Sequence, residues 1–456
     1  MASIPQEAQA LNQLLAQIDL KALAKLTQQV DLAKLVTTLG GMDGRDLQRL
    51  AEQIGAAGGK AKQERAAPPI NGDMLDIASE LPADQRAKLA MVREYMEREI
   101  RPIIGNYWER GEFPHQIIPG FAAMIQETFG DLTVFPHPDP LLVGLLVMEL
   151  ARVDASISTF LGVHWGLCMG SIACFGSPEQ KQRWLPAMQR FELIGSWALT
   201  EPEVGSGTAA GLQTIARREG DTWVINGAKK WSGNATFADL NVIWARDVAD
   251  NQVKGFVVEL GTAGYGVEKL PGKIALRVVE NVLITLNECR VPEANRLPGA
   301  NAFRDVSRQL AAARALVAWK AVGAAMGAYE RSLAYTTSRK QFGKPIAAFQ
   351  LVQEKLVRML ANLSAMQSTM LQISRLHARD GDISHERASL AKLFCSEKLR
   401  ESVALGRELF GGNGILLEHE IGRYFADAEA IYSYEGTYDM NLLIVGRAIT
   451  GQSAFV

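Results

Sequence analysis

Residues 432–450 read YSYEGTYDMNLLIVGRAIT, with Glu435 at the centre of Tyr434-Glu435-Gly436-Thr437. A carboxylate beside Gly and Thr is, on local physics, most often a solvated loop residue. Taken alone, this stretch supports that bland reading. Segments far away in the chain change it.

Upstream of this stretch, residues 301 onward carry long helical patterns with few breakers. Before them lies a β-type region. Residues 221–232 (DTWVINGAKKWS) place Asn226-Gly227 between extended runs, which predicts a hairpin turn. Residues 240–245, 255–260 and 281–286 are short strand-like runs. Before those, residues 84–103, 140–160 and 178–191 have helical spacing. Residues 1–68 look like an appendage: Asp19, Asp31 and Asp43 recur every twelve residues and cap short amphipathic helices in this reading. The run 55–69 (GAAGGKAKQERAAPP) reads as a flexible linker. The domain boundaries expected from these changes are 1–68, 69–195, 196–298 and 299–456.

Composition narrows the function classes. The chain has 456 residues, 48% hydrophobic, with formal net charge −2. Near-neutral charge argues against a nucleic-acid partner. Four cysteines (Cys168, Cys174, Cys289, Cys395) and six scattered histidines show no metal-ligand spacing, so no metal is expected. The apolar runs, such as 140–148, read as too short to span a bilayer. No targeting segment is legible, and a cytoplasmic location is the expectation.

Four further segments carry chemistry. Residues 197–207 read WALTEPEVGSG, where Gly205-Ser206-Gly207 alone is an ordinary turn. Residues 231–234 read WSGN, and a Trp at a strand end is most often core. Residues 339–350 read RKQFGKPIAAFQ, in isolation a solvated basic patch. Residues 408–414 read ELFGGNG, which lacks the Gly-Lys-Ser/Thr ending of a P-loop.

In this order, over residues 75–456, the segments resemble the acyl-CoA dehydrogenase family. LARVDAS (150–156), NATFADL (234–240), QFGKPIAAFQL (341–351) and GRELFGGNGI (406–415) resemble its short-chain acyl-CoA oxidase and glutaryl-CoA dehydrogenase group. The resemblance implies an α+β multidomain fold: an N-terminal helical domain, a middle β-barrel domain and a C-terminal four-helix bundle, here with a helical N-terminal extension. It implies FAD as cofactor, an acyl-CoA substrate, a homotetramer, and an electron-transferring flavoprotein or O2 as acceptor.

Position by position, the resemblance makes Glu435 the base that removes the substrate's α-proton. Trp197, Ala198, Leu199, Thr200 and Ser206 would lie at the flavin, with Ser206 also on the acyl-CoA. Trp231, Ser232 and Gly233 would flank the flavin ring. Gly233 stands where the family has a Thr whose hydroxyl reaches flavin N5, and Ser232, one residue along a strand, should point to the other face. Arg339 would fork onto the pyrophosphate of a neighbouring subunit's FAD, with Gln341, Phe342, Gln350, Glu408, Gly411 and Gly412 completing that contact. By the same resemblance, Thr437 and Asp439 would be further cofactor contacts, and Arg314, Tyr434 and Gly436 substrate contacts. Gly207 replaces the family's usual Asp, Glu408 its usual Gln, and Ala311 its usual Asp three residues before Arg314. Ser158 stands where the glutaryl-CoA members carry an Arg, which disfavours glutaryl-CoA as substrate. Residues 124–140 (MIQETFGDLTVFPHPDP) replace a Gly-rich entry to the acyl pocket. His164 and Trp165 read first as helix packing. Two rivals remain: an acyl-CoA oxidase, favoured by space at Gly233, and a non-catalytic flavin-binding scaffold with residues 1–68 as its interaction module.

Overall fold

The computed structural model describes residues 72–455, so the helical reading of residues 1–68 lies outside the described part. Helices come first: α1 (Ala83–Tyr95), α2 (Arg101–Arg110), α3 (Ile118–Phe129), α4 (Pro140–Val153), α5 (Ala155–Phe175) and α6 (Pro178–Gln189). The single helix expected over 140–160 is two. Asp154 adopts extended backbone, and its Oδ1 accepts from the N–H groups of Ser156 and Ile157 at 2.8 and 3.1 Å. A carboxylate that satisfies the free N–H groups of a new helix ends the old one.

Seven strands follow: β1 (Gly195–Ala198), β2 (Ile215–Glu219), β3 (Thr222–Ser232), β4 (Leu240–Asp247), β5 (Val253–Glu259), β6 (Tyr265–Lys269) and β7 (Val282–Pro292). They form one mixed sheet in the order β1-β4-β2-β3-β7-β6, with β5 paired to β4. The sheet is an open half-barrel. One face packs on the helices. The other encloses a separate core of Trp223, Ile225, Ile243, Phe256 and Ile284.

The hairpin expected at Asn226-Gly227 is not there. β3 runs through both residues, with a bulge, and the turn is at Gly220, φ 63°. A Cβ at Gly227 would lie 2.6–2.9 Å from Thr214, so this glycine serves close strand approach rather than a turn.

Five helices close the chain: α7 (Phe303–Ser338), α8 (Gln350–Asp380), α9 (His385–Leu409), α10 (Ile421–Ser433) and α11 (Tyr438–Thr450). α7 is the axis on which the helical parts meet. Gly323 and Gly327, one turn apart, let its backbone approach α4, where a Cβ would come within 2.1 Å of the carbonyls of Met148 and Arg152. Buried charges tie the same elements. Arg152 binds Glu97, Glu149 and Glu330 at 2.6, 2.7 and 2.9 Å. The reading of apolar runs as too short missed α5 and α7, which are long and apolar enough to cross a membrane. Of the apolar window in each, 78% is buried inside the fold, as core helices are.

Candidate active site

The sheet's helix-facing side and helices α5, α7 and α10 enclose a cavity of about 1210 Å³. Twelve of the residues singled out in the sequence line it: Trp197, Leu199, Thr200, Ser206, Trp231, Ser232, Gly233, Arg314, Tyr434, Glu435, Gly436 and Thr437. Segments separated by more than 200 residues therefore share one wall.

Glu435 sits between two helices. Tyr434 leaves α10 in extended backbone, Glu435 and Gly436 turn the chain at φ 54° and 84°, and Thr437 caps α11 by accepting from Met440 N at 3.2 Å. A Glu in the left-handed region is uncommon, and here the surroundings enforce it. Lys392 of α9, fully buried, donates to Tyr432 O at 2.7 Å and Gly436 O at 2.8 Å. Asn441 donates to Gly436 O and Thr437 O, each at 2.9 Å. Arg314 Nε reaches Glu435 O at 3.4 Å.

The Glu435 side chain is half-buried against the cavity, and its Oε2 is covered without a hydrogen-bond partner. Burial pushes its carboxyl pKa up, opposed by the charges of Lys320, Arg314 and Lys392. Burial also draws Lys392 down to about 7 and Lys320 to about 8, with Glu435 opposing both. The result is a desolvated carboxylate held by cations that do not hydrogen-bond it, so its lone pairs stay available for a proton.

The WSGN segment differs from its sequence reading. A register shift between Lys230 and Ser232 breaks the strand alternation, and Trp231 turns with φ 74°. Trp231, Ser232 and Gly233 consequently all line the cavity. Ser232 is 4% exposed with its hydroxyl unpartnered, so it does not point to the other face. Ser196 Oγ donates to Gly233 O at 2.8 Å, which fixes the bend. The space expected at Gly233 is filled: a Cβ there would lie 3.1 Å from Val279 Cγ1 and 3.3 Å from Val163 Cγ2.

The segment after β1 is anchored by residues that the sequence did not single out. Buried Lys229 bonds Glu201 at 2.8 Å and Leu199 O at 3.1 Å, while Glu201 accepts from the N–H groups of Gln213 and Thr214. Strand alternation puts Ala198 in the second core, so its side chain faces away from the cavity. His164 is structural: Gly195 N donates to its Nδ1 at 2.9 Å, Nε2 meets Met188 O at 3.0 Å, and burial draws its pKa down to about 4. Trp165 does line the cavity, beside Phe135 and His137 of the 124–140 segment.

The remaining predicted contacts lie on the outer surface. Arg339, Gln341, Gln350, Gly411, Gly412 and Asp439 are exposed, Phe342 is 92% exposed, and Glu408 pairs with Lys355 at 3.2 Å. None of them lines the cavity.

Comparison with known proteins decides the family. The acyl-CoA dehydrogenase N-terminal, middle and C-terminal domain descriptions match residues 82–192, 196–289 and 303–450. The chain belongs to the acyl-CoA dehydrogenase family. An acyl-CoA dehydrogenase of Bacillus subtilis is 30% identical over 371 residues, covering 79% of this chain and 96% of the relative. The mitochondrial short-chain specific acyl-CoA dehydrogenase of Mus musculus is 30% identical, covering 80% and 90%. A glutaryl-CoA dehydrogenase of Mycobacterium smegmatis, solved in complex with FADH2, superposes with TM-score 0.81 at 32% identity, covering 85% of this chain and 100% of its own. This acyl-CoA dehydrogenase fold is that of a flavin-dependent oxidoreductase, with FAD as its cofactor.

Proposed function

We propose that the chain catalyses FAD-dependent α,β-dehydrogenation of an acyl-CoA thioester to the trans-2-enoyl-CoA, with Glu435 as the general base. One observation carries this reading. The only carboxylate on the cavity wall among the motif residues is Glu435, and burial there raises its proton affinity toward that of an activated α-carbon.

The cavity fits flavin and acyl chain together. Its volume exceeds that of a common small-ligand pocket. Buried polar atoms on its wall await partners: Ser232 Oγ, Arg314 Nη1, Tyr434 Oη and Glu435 Oε2. Thr200, Trp231 and Ser232 would hold the flavin ring. When bound, the flavin supplies the acceptor for the substrate's β-hydrogen, which leaves as hydride as the C–C double bond forms.

The chain's own residues do the rest. Glu435 takes the α-proton onto its carboxylate. Lys392 and Asn441 bind the carbonyls on either side of it and fix where it points. The Glu435 backbone N–H is available to polarise the thioester carbonyl. Phe135, Trp165 and Leu316 keep water from the acyl end.

The surface hairpin supports an assembly. Phe342 at 92% exposure, Leu351 at 78% and Ile415 at 72% are costly in water, and Arg339 makes no ion pair among the described residues. In this reading a neighbouring subunit of a homotetramer covers them together with its FAD. An electron-transferring flavoprotein is the acceptor in preference to O2, because Val279 and Val163 occupy the space that favoured an oxidase. Anaerobic bleaching of the flavin by acyl-CoAs, followed by air, tests both halves. Bleaching with slow recolouring in air supports a dehydrogenase, rapid recolouring an oxidase, and no bleaching by any acyl-CoA refutes the assignment.

A further inference from the structure

Two tyrosines bracket the turn that carries Glu435 and have no task in the mechanism above. Tyr432 is in the last turn of α10, and Tyr438 is the first residue of α11. Their rings stack across the turn, with centroids 5.1 Å apart and planes 11° from parallel. Both are half-buried, and neither lines the cavity. They lie behind the base, away from the space for flavin and substrate.

The stack joins two helices that otherwise meet through a third. α10 and α11 each pack on α9 rather than on one another. α9 also steadies the rings. Arg400 lays its guanidinium over Tyr432, 4.3 Å from the ring centroid, and its Nε donates to Glu429 Oε1 of α10 at 2.8 Å. The Tyr438 hydroxyl reaches Glu397 Oε2 only at 3.5 Å, too long for a strong bond. Arg400 and Glu429 are exposed, so their ion pair contributes little. The flat contact of the two rings is the stronger tie.

The turn between the rings needs such a tie. Glu435 holds φ 54° and Gly436 φ 84°, and a Glu stays in the left-handed region only where its surroundings enforce it. Lys392 and Asn441 hold carbonyls of the turn from the buried side. The rings fix the distance between its two ends, nearer the solvent.

We propose that the Tyr432–Tyr438 stack is a positioning clasp for the general base: it sets the span of the turn between α10 and α11, and so the place of the Glu435 carboxylate against the substrate's α-carbon. This rests on the reading of Glu435 as base. Because neither ring lines the cavity, the clasp bears on the rate of proton removal and not on acyl-CoA binding. A base displaced by a fraction of an ångström loses rate steeply.

The test is anaerobic flavin reduction in single turnovers, over a range of concentrations of an acyl-CoA that bleaches the wild type. Tyr432→Ala and Tyr438→Ala should each lower the limiting rate by on the order of tenfold or more, with half-saturating acyl-CoA and FAD content unchanged. Tyr432→Phe and Tyr438→Phe keep the rings and should stay within about twofold of wild type. The double Ala variant should be no slower than the slower single one, because the same contact is lost in all three. Tyr438→Leu serves if the Ala variants do not load FAD, and should show the same loss. The inference is overturned if the Ala variants reduce flavin at the wild-type rate, if half-saturation rises in proportion to the loss, if the Phe variants lose as much, or if the two single losses multiply in the double variant. Any of these results beside a wild type that bleaches sinks the clasp and leaves Glu435 standing as the base. A wild type that no acyl-CoA bleaches sinks both.

Discussion

Lys392→Met probes the machinery behind Glu435. Lys392 closes the C-terminal end of α10, where helix carbonyls lack intrahelical donors. Tyr432 O has no other partner among the described residues, whereas Gly436 O keeps Asn441 Nδ2 at 2.9 Å. The substitution thus leaves one carbonyl unpaired, a loss of about 1–3 kcal/mol. Part is offset, because burial holds the ammonium itself unfavourably, with its pKa drawn down to about 7. A net destabilisation of about 1–2 kcal/mol is expected. The catalytic effect should be larger, since a loosened Glu435 loop misplaces the base by a fraction of its reach, and such errors cost about 10–10²-fold in rate. Removing a nearby cation also disfavours the ionised carboxylate. The acid limb of the kcat/KM profile, which reports Glu435 losing its proton, should therefore move to higher pH. Steady-state rates with an artificial electron acceptor across pH, with thermal melts alongside, measure all three. A variant with wild-type rate and an unmoved acid limb would refute the claim that Lys392 sets the position and charge of the base.

Arg339→Ala should lower FAD content and loosen the oligomer together, by about 1.5–3 kcal/mol per lost charge-assisted contact; flavin absorbance and sedimentation read both. Asp427→Asn should flatten the pH dependence of stability: burial and the neighbouring Asp154 push Asp427 up to about 7, so the folded state holds its proton more tightly than the unfolded chain and stability falls as pH rises from about 4 to about 7. Asn keeps an oxygen for Leu276 N and Trp108 Nε1, so denaturant titrations at pH 5 and 7 should give nearly equal midpoints for the variant and unequal ones for the wild type. Gly227→Ala should destabilise by about 2 kcal/mol or more through collision with Thr214 and strain at φ 145°, seen as a lowered melting temperature.

What the sequence made legible was the chemistry borne by short strings. Glu435, Trp231 and Thr200 reach one cavity because each lies in a run whose residues are named by their role at a ligand. The β region and the helices around it were visible as changes of period. What failed was local geometry set by distant partners. Asn226-Gly227 has the composition of a turn, but Thr214 across the sheet needs the glycine's bare face. Ser232 was assigned outward by strict alternation, and a bulge returned it to the cavity. The helix over 140–160 hid a break because Asp154 acts as cap only once its neighbours are placed. Lys320 and Lys392 lay inside unremarkable helical patterns, 115 and 43 residues from Glu435 in number and beside it in space. Ser158 leaves α5 without the arginine of the glutaryl-CoA members, and the Lys320 ammonium of α7 lies opposite Gly162 of the same helix.

The central claim is that Glu435 removes a proton. The direct measurement is anaerobic stopped-flow reduction of FAD-loaded Glu435→Gln by an acyl-CoA that bleaches the wild type. The amide keeps the shape of the carboxylate and cannot accept the proton. The account predicts normal FAD content and a reduction rate lower by on the order of 10³ or more, whereas near-normal bleaching by the variant would contradict it.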